Sequence, residues 1–177
     1  MSKAEKVRNM INNLTQDIIE IYDLDIPIRD MKDIYEVVKR LGGRIEECTN
    51  VVNMSDGSIK KEGDGFAIYV SPFQSIEQKK HAIAHELGHL FLHMGYETNP
   101  DLWKSQESAT YHRSGDTLEE YHANEFAAAL LMPQMKYKEI MGRNTEGNRV
   151  NTGEIAKYFG VSVSAASNRG KVLGYLQ

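Results

Sequence analysis

Cysteine is almost absent from this sequence. Cys48 is the only one in 177 residues, so no disulfide can form within the chain. No apolar run is long enough to cross a bilayer, and the first residues lack the apolar core of a secretion signal. Basic residues are not in excess either, since the net charge is −4, which argues against a nucleic-acid or anionic-membrane surface. We therefore expect a cytoplasmic globular protein in which Cys48 has a structural role.

Histidine, by contrast, is concentrated in one stretch. His81, His85, His89 and His93 recur at a spacing of four, which places them on one face of a helix. Only His85 is followed directly by an acid, Glu86, so H-E-x-x-H occurs once. The pairs His81/His85 and His89/His93 could also hold a metal, but neither would have an adjacent base. The pattern therefore predicts His85 and His89 as metal ligands and Glu86 as the general base.

A helix is also expected here from the residues around the motif. Its apolar positions lie opposite the two predicted ligands, so one side can pack into the core; they are Ile83, Leu87, Leu90 and Met94. Ser75 and Gln78 have the spacing of a capping box at the helix start. The alternative is a core helix that carries histidines without binding a metal.

A third ligand is expected in the segment 117–133, because a catalytic zinc ion takes three protein ligands and leaves one position open. On a helical projection of this segment, the apolar residues form one arc, which we expect to be buried. Glu119 points into this buried arc, and Glu125 points away from it, into solvent. Glu120 and Asn124 lie together at the edge of the arc. This predicts Glu120 as the third ligand and Asn124 as a hydrogen-bond partner of a ligand. The alternative for Glu120 is a capping box with Thr117.

The remaining pattern predicts scaffold helices over 3–22 and 31–41, followed by a small antiparallel sheet. The predicted strand Phe66–Val70 comes directly before the helix that carries the H-E-x-x-H motif. It could form the edge of the cleft at the metal site and pair with an extended peptide, or it could be an internal strand of the sheet. The polar residues 95–116 are expected to form a loop. Tyr111, His112 and Arg113 in that loop are candidates for stabilising the transition state, and no feature separates them.

Three segments are expected from this reading. Residues 1–141 would form the catalytic domain with its scaffold helices, residues 142–152 a linker rich in Gly and Asn, and residues 153–177 a small helical segment. Ala156, Gly160 and Ala166 have helix-turn-helix spacing. The second helix carries few basic residues, so a packing role is favoured over DNA binding.

Three stretches resemble the ImmA/IrrE family of zinc metallopeptidases, which are gluzincin-like: AHELGHLFLH, EYHANEFAAALLMP and IAKYFGVSVSAASNRGKVLGYL. They occur in the expected order and extend the resemblance over roughly residues 30–177. It implies an α+β zincin-like fold, a Zn²⁺ cofactor, and Glu120 as the third ligand. Many members carry an acid where this chain has His122, a position outside the implied ligand set.

The resemblance also implies a function. Members are encoded in bacteria, phages and mobile elements beside a helix-turn-helix repressor, and they relieve repression by cleaving it at one site. We therefore predict a zinc endopeptidase of narrow specificity. The alternative is a binding module that sequesters the repressor, with a structural metal and little turnover. A DNA-binding regulator that uses residues 153–177 is a third interpretation.

Overall fold

The computed structural model describes residues 1–49, 57–106 and 117–177, together with the backbone of residues 110–111. Its elements in chain order are α1 (Lys3–Ile21), α2 (Met31–Arg40), β1 (Gly43–Glu47), β2 (Ser58–Glu62), β3 (Gly65–Val70), α3 (Ile76–Leu92), α4 (Pro100–Ser105), β4 (Thr110–Tyr111), α5 (Leu118–Leu131), α6 (Gln134–Arg143), β5 (Thr145–Glu146), β6 (Arg149–Val150), α7 (Thr152–Phe159) and α8 (Val163–Val172). Helices surround a small sheet, so the predicted α+β class is confirmed. None of the described helices is both long and apolar enough to cross a membrane.

The main sheet has the strand order β1–β3–β2–β4. Strands β2 and β3 form a hairpin through Gly63 and Asp64, and β4 pairs antiparallel with β2. Strand β1 pairs with the other edge of β3 in parallel, so the sheet is mixed where we predicted an antiparallel one. Alternation of apolar residues fixes which face of a strand is buried but says nothing about its direction.

The position of β3 corrects one expectation. Phe66–Val70 was predicted as a possible cleft edge for strand addition, but β3 is hydrogen-bonded to strands on both sides. An internal strand has no free backbone groups with which to pair a peptide. The alternative interpretation, an internal strand, is the correct one.

The predicted loop over residues 95–116 contains regular structure. Helix α4 begins after Asn99, whose side chain accepts a hydrogen bond from the Leu102 N–H, and Pro100 occupies its first turn. Asn followed by Pro is a helix-start signal, and it was overlooked because the segment is polar and short. The backbone of Tyr111 lies in β4, whereas His112 and Arg113 lie outside the described residues.

Helix α3 runs through the main hydrophobic core. The capping box of Ser75 and Gln78 is confirmed at its start. The apolar stripe is confirmed too, and all four of its members have no exposed surface: Ile83, Leu87, Leu90 and Met94. The opposite side of α3 is also buried, because α5 packs along it.

Helices α7 and α8 form a second, smaller apolar cluster with Tyr137 of α6. The turn between them requires glycine: Gly160 has φ +60°, and a Cβ there would lie 2.3 Å from the Arg29 carbonyl oxygen. Residues 142–152, which we predicted to be a linker, contain the end of α6 and the hairpin of β5 and β6.

Two buried cations attach the C-terminal helices to the rest of the protein. Lys80 of α3 donates hydrogen bonds from Nζ to the carbonyl oxygens of Arg29 (2.8 Å), Phe159 (3.2 Å) and Gly160 (2.8 Å). Arg169 of α8 donates from Nε to the Met132 carbonyl and from an Nη to Asn12 Oδ1. Both side chains are almost fully buried, so these contacts fix α7 and α8 against α1, α3 and α5.

Candidate metal centre

Close packing of α3 against α5 creates the site. Gly88 lies between the two predicted histidine ligands, and a Cβ there would meet Ala123 Cα at 2.9 Å and Ala123 O at 3.0 Å. Ordinary carbon contacts are about 3.5–4.0 Å, so a side chain at position 88 would force the helices apart. The glycine inside the motif therefore allows the close approach that brings Glu120 to the histidines.

Three ligand side chains converge between these helices. His85 Nε2 and His89 Nε2 lie 2.9 Å apart, one turn from each other on α3. From α5, one carboxylate oxygen of Glu120 lies 3.2 Å from His85 Nε2 and the other lies 3.0 Å from His89 Nε2. Two atoms that share a zinc ion at about 2.1 Å each can be at most roughly 4.2 Å apart, and all three distances are shorter than that. The cluster could therefore hold one metal ion.

The His85 ring is oriented by the residue that we predicted for this role. Asn124, one turn after Glu120, places its Oδ1 2.9 Å from His85 Nδ1. Because an amide oxygen only accepts, Nδ1 carries the proton and Nε2 presents its lone pair to the ligand cluster. A hydrogen bond of this kind fixes the tautomer that a metal requires.

His93 extends the histidine network beyond the predicted site. Its Nδ1 lies 2.9 Å from Nδ1 of His89, and burial lowers the pKa of the His93 imidazole. The ring of His122 lies 6.4 Å from that of His93 and is half-buried. The spacing of four marked His93 as a neighbour of His89, but nothing local marked His122.

The predicted base, Glu86, is 1% exposed. A Cβ at Gly57, just before β2, would lie 3.1 Å from Glu86 Cγ and 3.3 Å from Glu86 Oε1. The carboxylate therefore packs against the start of β2 on the helix turn that also carries His85 and His89. Glu86 is thus buried and directly follows the ligand residue His85 in the chain.

The other acids of α5 differ from the projection. Glu119 is exposed, although we predicted that it points into the buried arc. Glu125 is 9% exposed, although we predicted it in solvent; its carboxylate lies 3.3 Å from Arg8 Nε of α1. Helix α1 covers this side of α5, a contact across 117 residues that no local pattern reveals. Thr117 caps the helix, since its Oγ1 accepts the Glu120 N–H at 3.3 Å, but the Glu120 carboxylate faces the histidines and does not complete a capping box.

The donor set is chemically suited to a divalent ion. Two imidazole nitrogens and one carboxylate are ligands that zinc takes in hydrolytic sites. His85 and His89 are 2% and 0% exposed, while the Glu120 side chain is 16% exposed. The cluster is thus accessible to solvent on the Glu120 side.

Comparison with known proteins agrees with this geometry. Residues 47–171 match the model of a peptidase family, Peptidase_M78, described as the IrrE N-terminal-like domain. Since the match spans well over half of the chain, the protein belongs to this family, and the resemblance drawn from the sequence is confirmed. Membership points to a peptidase.

A search among curated proteins gave no match. Among solved structures, the chain is similar to a Mycobacterium tuberculosis transcriptional regulator, with a TM-score of 0.57 and 14% sequence identity. The alignment covers 95% of this chain and 51% of the regulator, so the chain spans about half of that protein's length. At this identity the likeness shows a shared fold alone.

Proposed function

We propose that this protein is a zinc-dependent endopeptidase of narrow specificity that cleaves a partner helix-turn-helix repressor. One observation carries the proposal: His85 Nε2, His89 Nε2 and the Glu120 carboxylate converge beside the buried Glu86, in a chain of a peptidase family. A metal held only for stability would not need an adjacent buried acid.

In this proposal His85, His89 and Glu120 hold the zinc ion, and Asn124 orients His85. Zinc in such a site supplies Lewis acidity and lowers the pKa of water to about 7. Gly88 contributes by its lack of a side chain, because it sets the separation between α3 and α5.

Glu86 moves the proton. Its carboxylate accepts a proton from the water that attacks the peptide carbonyl and then delivers it to the leaving amine. Burial beside Gly57 holds the carboxylate in one place. Replacing it with glutamine removes the proton acceptor and preserves the shape.

We infer the substrate class from the family resemblance of the sequence, which implies a helix-turn-helix repressor, and not from the site geometry. The zinc ligands and Glu86 are common to many peptidases, so narrow specificity would come from surfaces outside the metal centre.

The test is incubation of the protein with the repressor encoded beside its gene, with products identified by mass spectrometry. Wild-type protein should cut the repressor at one bond, and Glu86→Gln should cut it at least about 1,000-fold more slowly while still binding it. Glu146→Gln, an exposed change in β5, is the matched control and should cleave at the wild-type rate. Release of the repressor from DNA by Glu86→Gln without any cleavage would favour the sequestering module and overturn the proposal.

A further inference from the structure

A cavity of about 810 Å³ lies beside the metal centre. It is bounded by the first turns of α3 and α8 and by one side of α5. Asn124 and His81 form part of its wall, so it begins next to the hydrogen bond that orients His85. Its volume is within the range of small-molecule sites, roughly 300–1,000 Å³.

The starts of two helices meet at this cavity. Ser75 caps α3 and Ser162 caps α8, and both serines lie in the cavity wall. The N-terminal end of a helix carries a partial positive charge and N–H groups that have no partner inside the helix. Two such ends facing one cavity favour a negatively charged group between them.

Arg169 provides a second and independent indication. It belongs to the cavity wall and is 2% exposed. Its protein partners are neutral oxygens of Met132 and Asn12, and its Nη1 is buried with no hydrogen-bond partner among the described residues. Among the described residues no carboxylate forms an ion pair with it, although Glu125 acts on it at longer range and raises its pKa. A buried cation without a carboxylate in direct contact is costly, so an anion beside it would be favoured.

The acids nearby compensate this positive charge only in part. Glu125 also lines the cavity, but its carboxylate is paired with Arg8. Glu77, in the first turn of α3, is exposed and opposes an anion. Burial lowers the pKa of the Arg169 guanidinium to about 10, so it remains charged at neutral pH.

The rest of the wall is mainly apolar. Small and aliphatic side chains from α5, α8 and the turn before α8 provide it: Ala128, Leu131, Met132, Val161, Ala165 and Val172. Apolar surface of this kind binds a hydrocarbon or aromatic body, while the polar groups fix the orientation of a ligand.

We propose that this cavity is a binding site for a small amphipathic anion, in which an apolar body lies between α5 and α8 and an acidic group lies between the helix starts near Arg169. The acidic group is a carboxylate or a phosphate monoester, both of which accept hydrogen bonds from guanidinium and backbone N–H groups. The site is separate from the proposed zinc ligands and does not depend on peptidase activity.

The test is isothermal titration calorimetry of the full chain with three probes that share one apolar body: octanoate, octyl phosphate and 1-octanol. At least one of the two anions should bind about tenfold or more tightly than the alcohol. The stronger anion identifies the acidic group. Glu77→Gln should strengthen that binding by about two- to fivefold, because a like charge is removed. Equal affinity for the anions and the alcohol, or no binding of any probe at millimolar concentration, would overturn the proposal.

A cavity-filling variant locates the binding. Ala128→Phe places a ring inside the cavity and should weaken anion binding about tenfold or more, whereas Ala4→Phe, on the exposed start of α1, should not. If Ala128→Phe does not fold, Ala165→Phe fills the same space from α8. Wild-type affinity in a folded cavity-filling variant would mean that the anion binds elsewhere, for example at the metal, and would refute the assignment.

Discussion

Replacing Gly88 with alanine tests whether the metal centre depends on the separation of α3 and α5. The added Cβ would lie 2.9 Å from Ala123 Cα, 3.0 Å from Ala123 O and 3.1 Å from Phe126 Cβ. Ordinary contact is about 3.5–4.0 Å, so α5 must move away by roughly 0.5–1 Å and carry Glu120 with it. Overpacking of this size costs about 1–3 kcal/mol of folding stability, and a ligand displaced by that distance should weaken zinc binding about tenfold or more.

Gly142 provides the matched control. It lies in α6, and a Cβ there would meet nothing within 4 Å. Gly142→Ala should therefore gain up to about 1 kcal/mol from helix propensity alone. Urea denaturation gives the free energy of unfolding of both variants, and competition with a chelating dye gives their zinc affinity. If Gly88→Ala matches Gly142→Ala in stability and keeps wild-type zinc affinity, the spacing argument is wrong.

Three further perturbations are predicted. Lys80→Met removes three hydrogen bonds to carbonyl oxygens, which attach α7 and α8 to the rest of the protein. The free energy of unfolding measured by urea denaturation should therefore fall by about 3 kcal/mol. An unchanged midpoint of urea denaturation would contradict this role of Lys80. Asn124→Ala releases the His85 ring and should weaken zinc binding by about 10–100-fold in chelator competition, with wild-type affinity as the contrary result. Burial raises the pKa of Tyr96 from 10.0 to about 12, and its hydroxyl donates to the Leu41 carbonyl at 2.6 Å. Folding favours the neutral phenol, so the contribution of Tyr96 to the free energy of unfolding is complete below pH 10 and is lost as pH rises to about 12. Tyr96→Phe should be less stable than the wild type at pH 8 and should not show this loss of stability at alkaline pH. Identical stability profiles of the two proteins against pH would refute the prediction.

Features set by neighbours along the chain could be predicted from the sequence. The capping box of Ser75, the apolar stripe of α3 and the shared face of His85 and His89 all follow from a helical repeat of 3.6 residues. Glu120 and Asn124 were predicted for the same reason, because a single helix places them one turn apart. The structure brings both residues to the predicted histidines.

Features set by distant contacts could not be predicted. Glu125 was expected in solvent because its partner Arg8 is 117 residues away in α1. Lys80 and Arg169 look like surface residues in a sequence, and only the docking of α7 and α8 buries them. The parallel pairing of β1 with β3 was missed because it depends on which edge of the hairpin β1 joins.

The most direct test of the central claim is the metal content of protein purified without added zinc, measured by mass spectrometry for the wild type, Glu86→Gln and Glu120→Ala. With His85, His89 and Glu120 as ligands and Glu86 as the base, the first two should contain about one zinc ion per chain and Glu120→Ala should contain almost none. A wild-type protein that holds no metal and takes none up would contradict the metallopeptidase account. Full zinc occupancy in Glu120→Ala would contradict the ligand set.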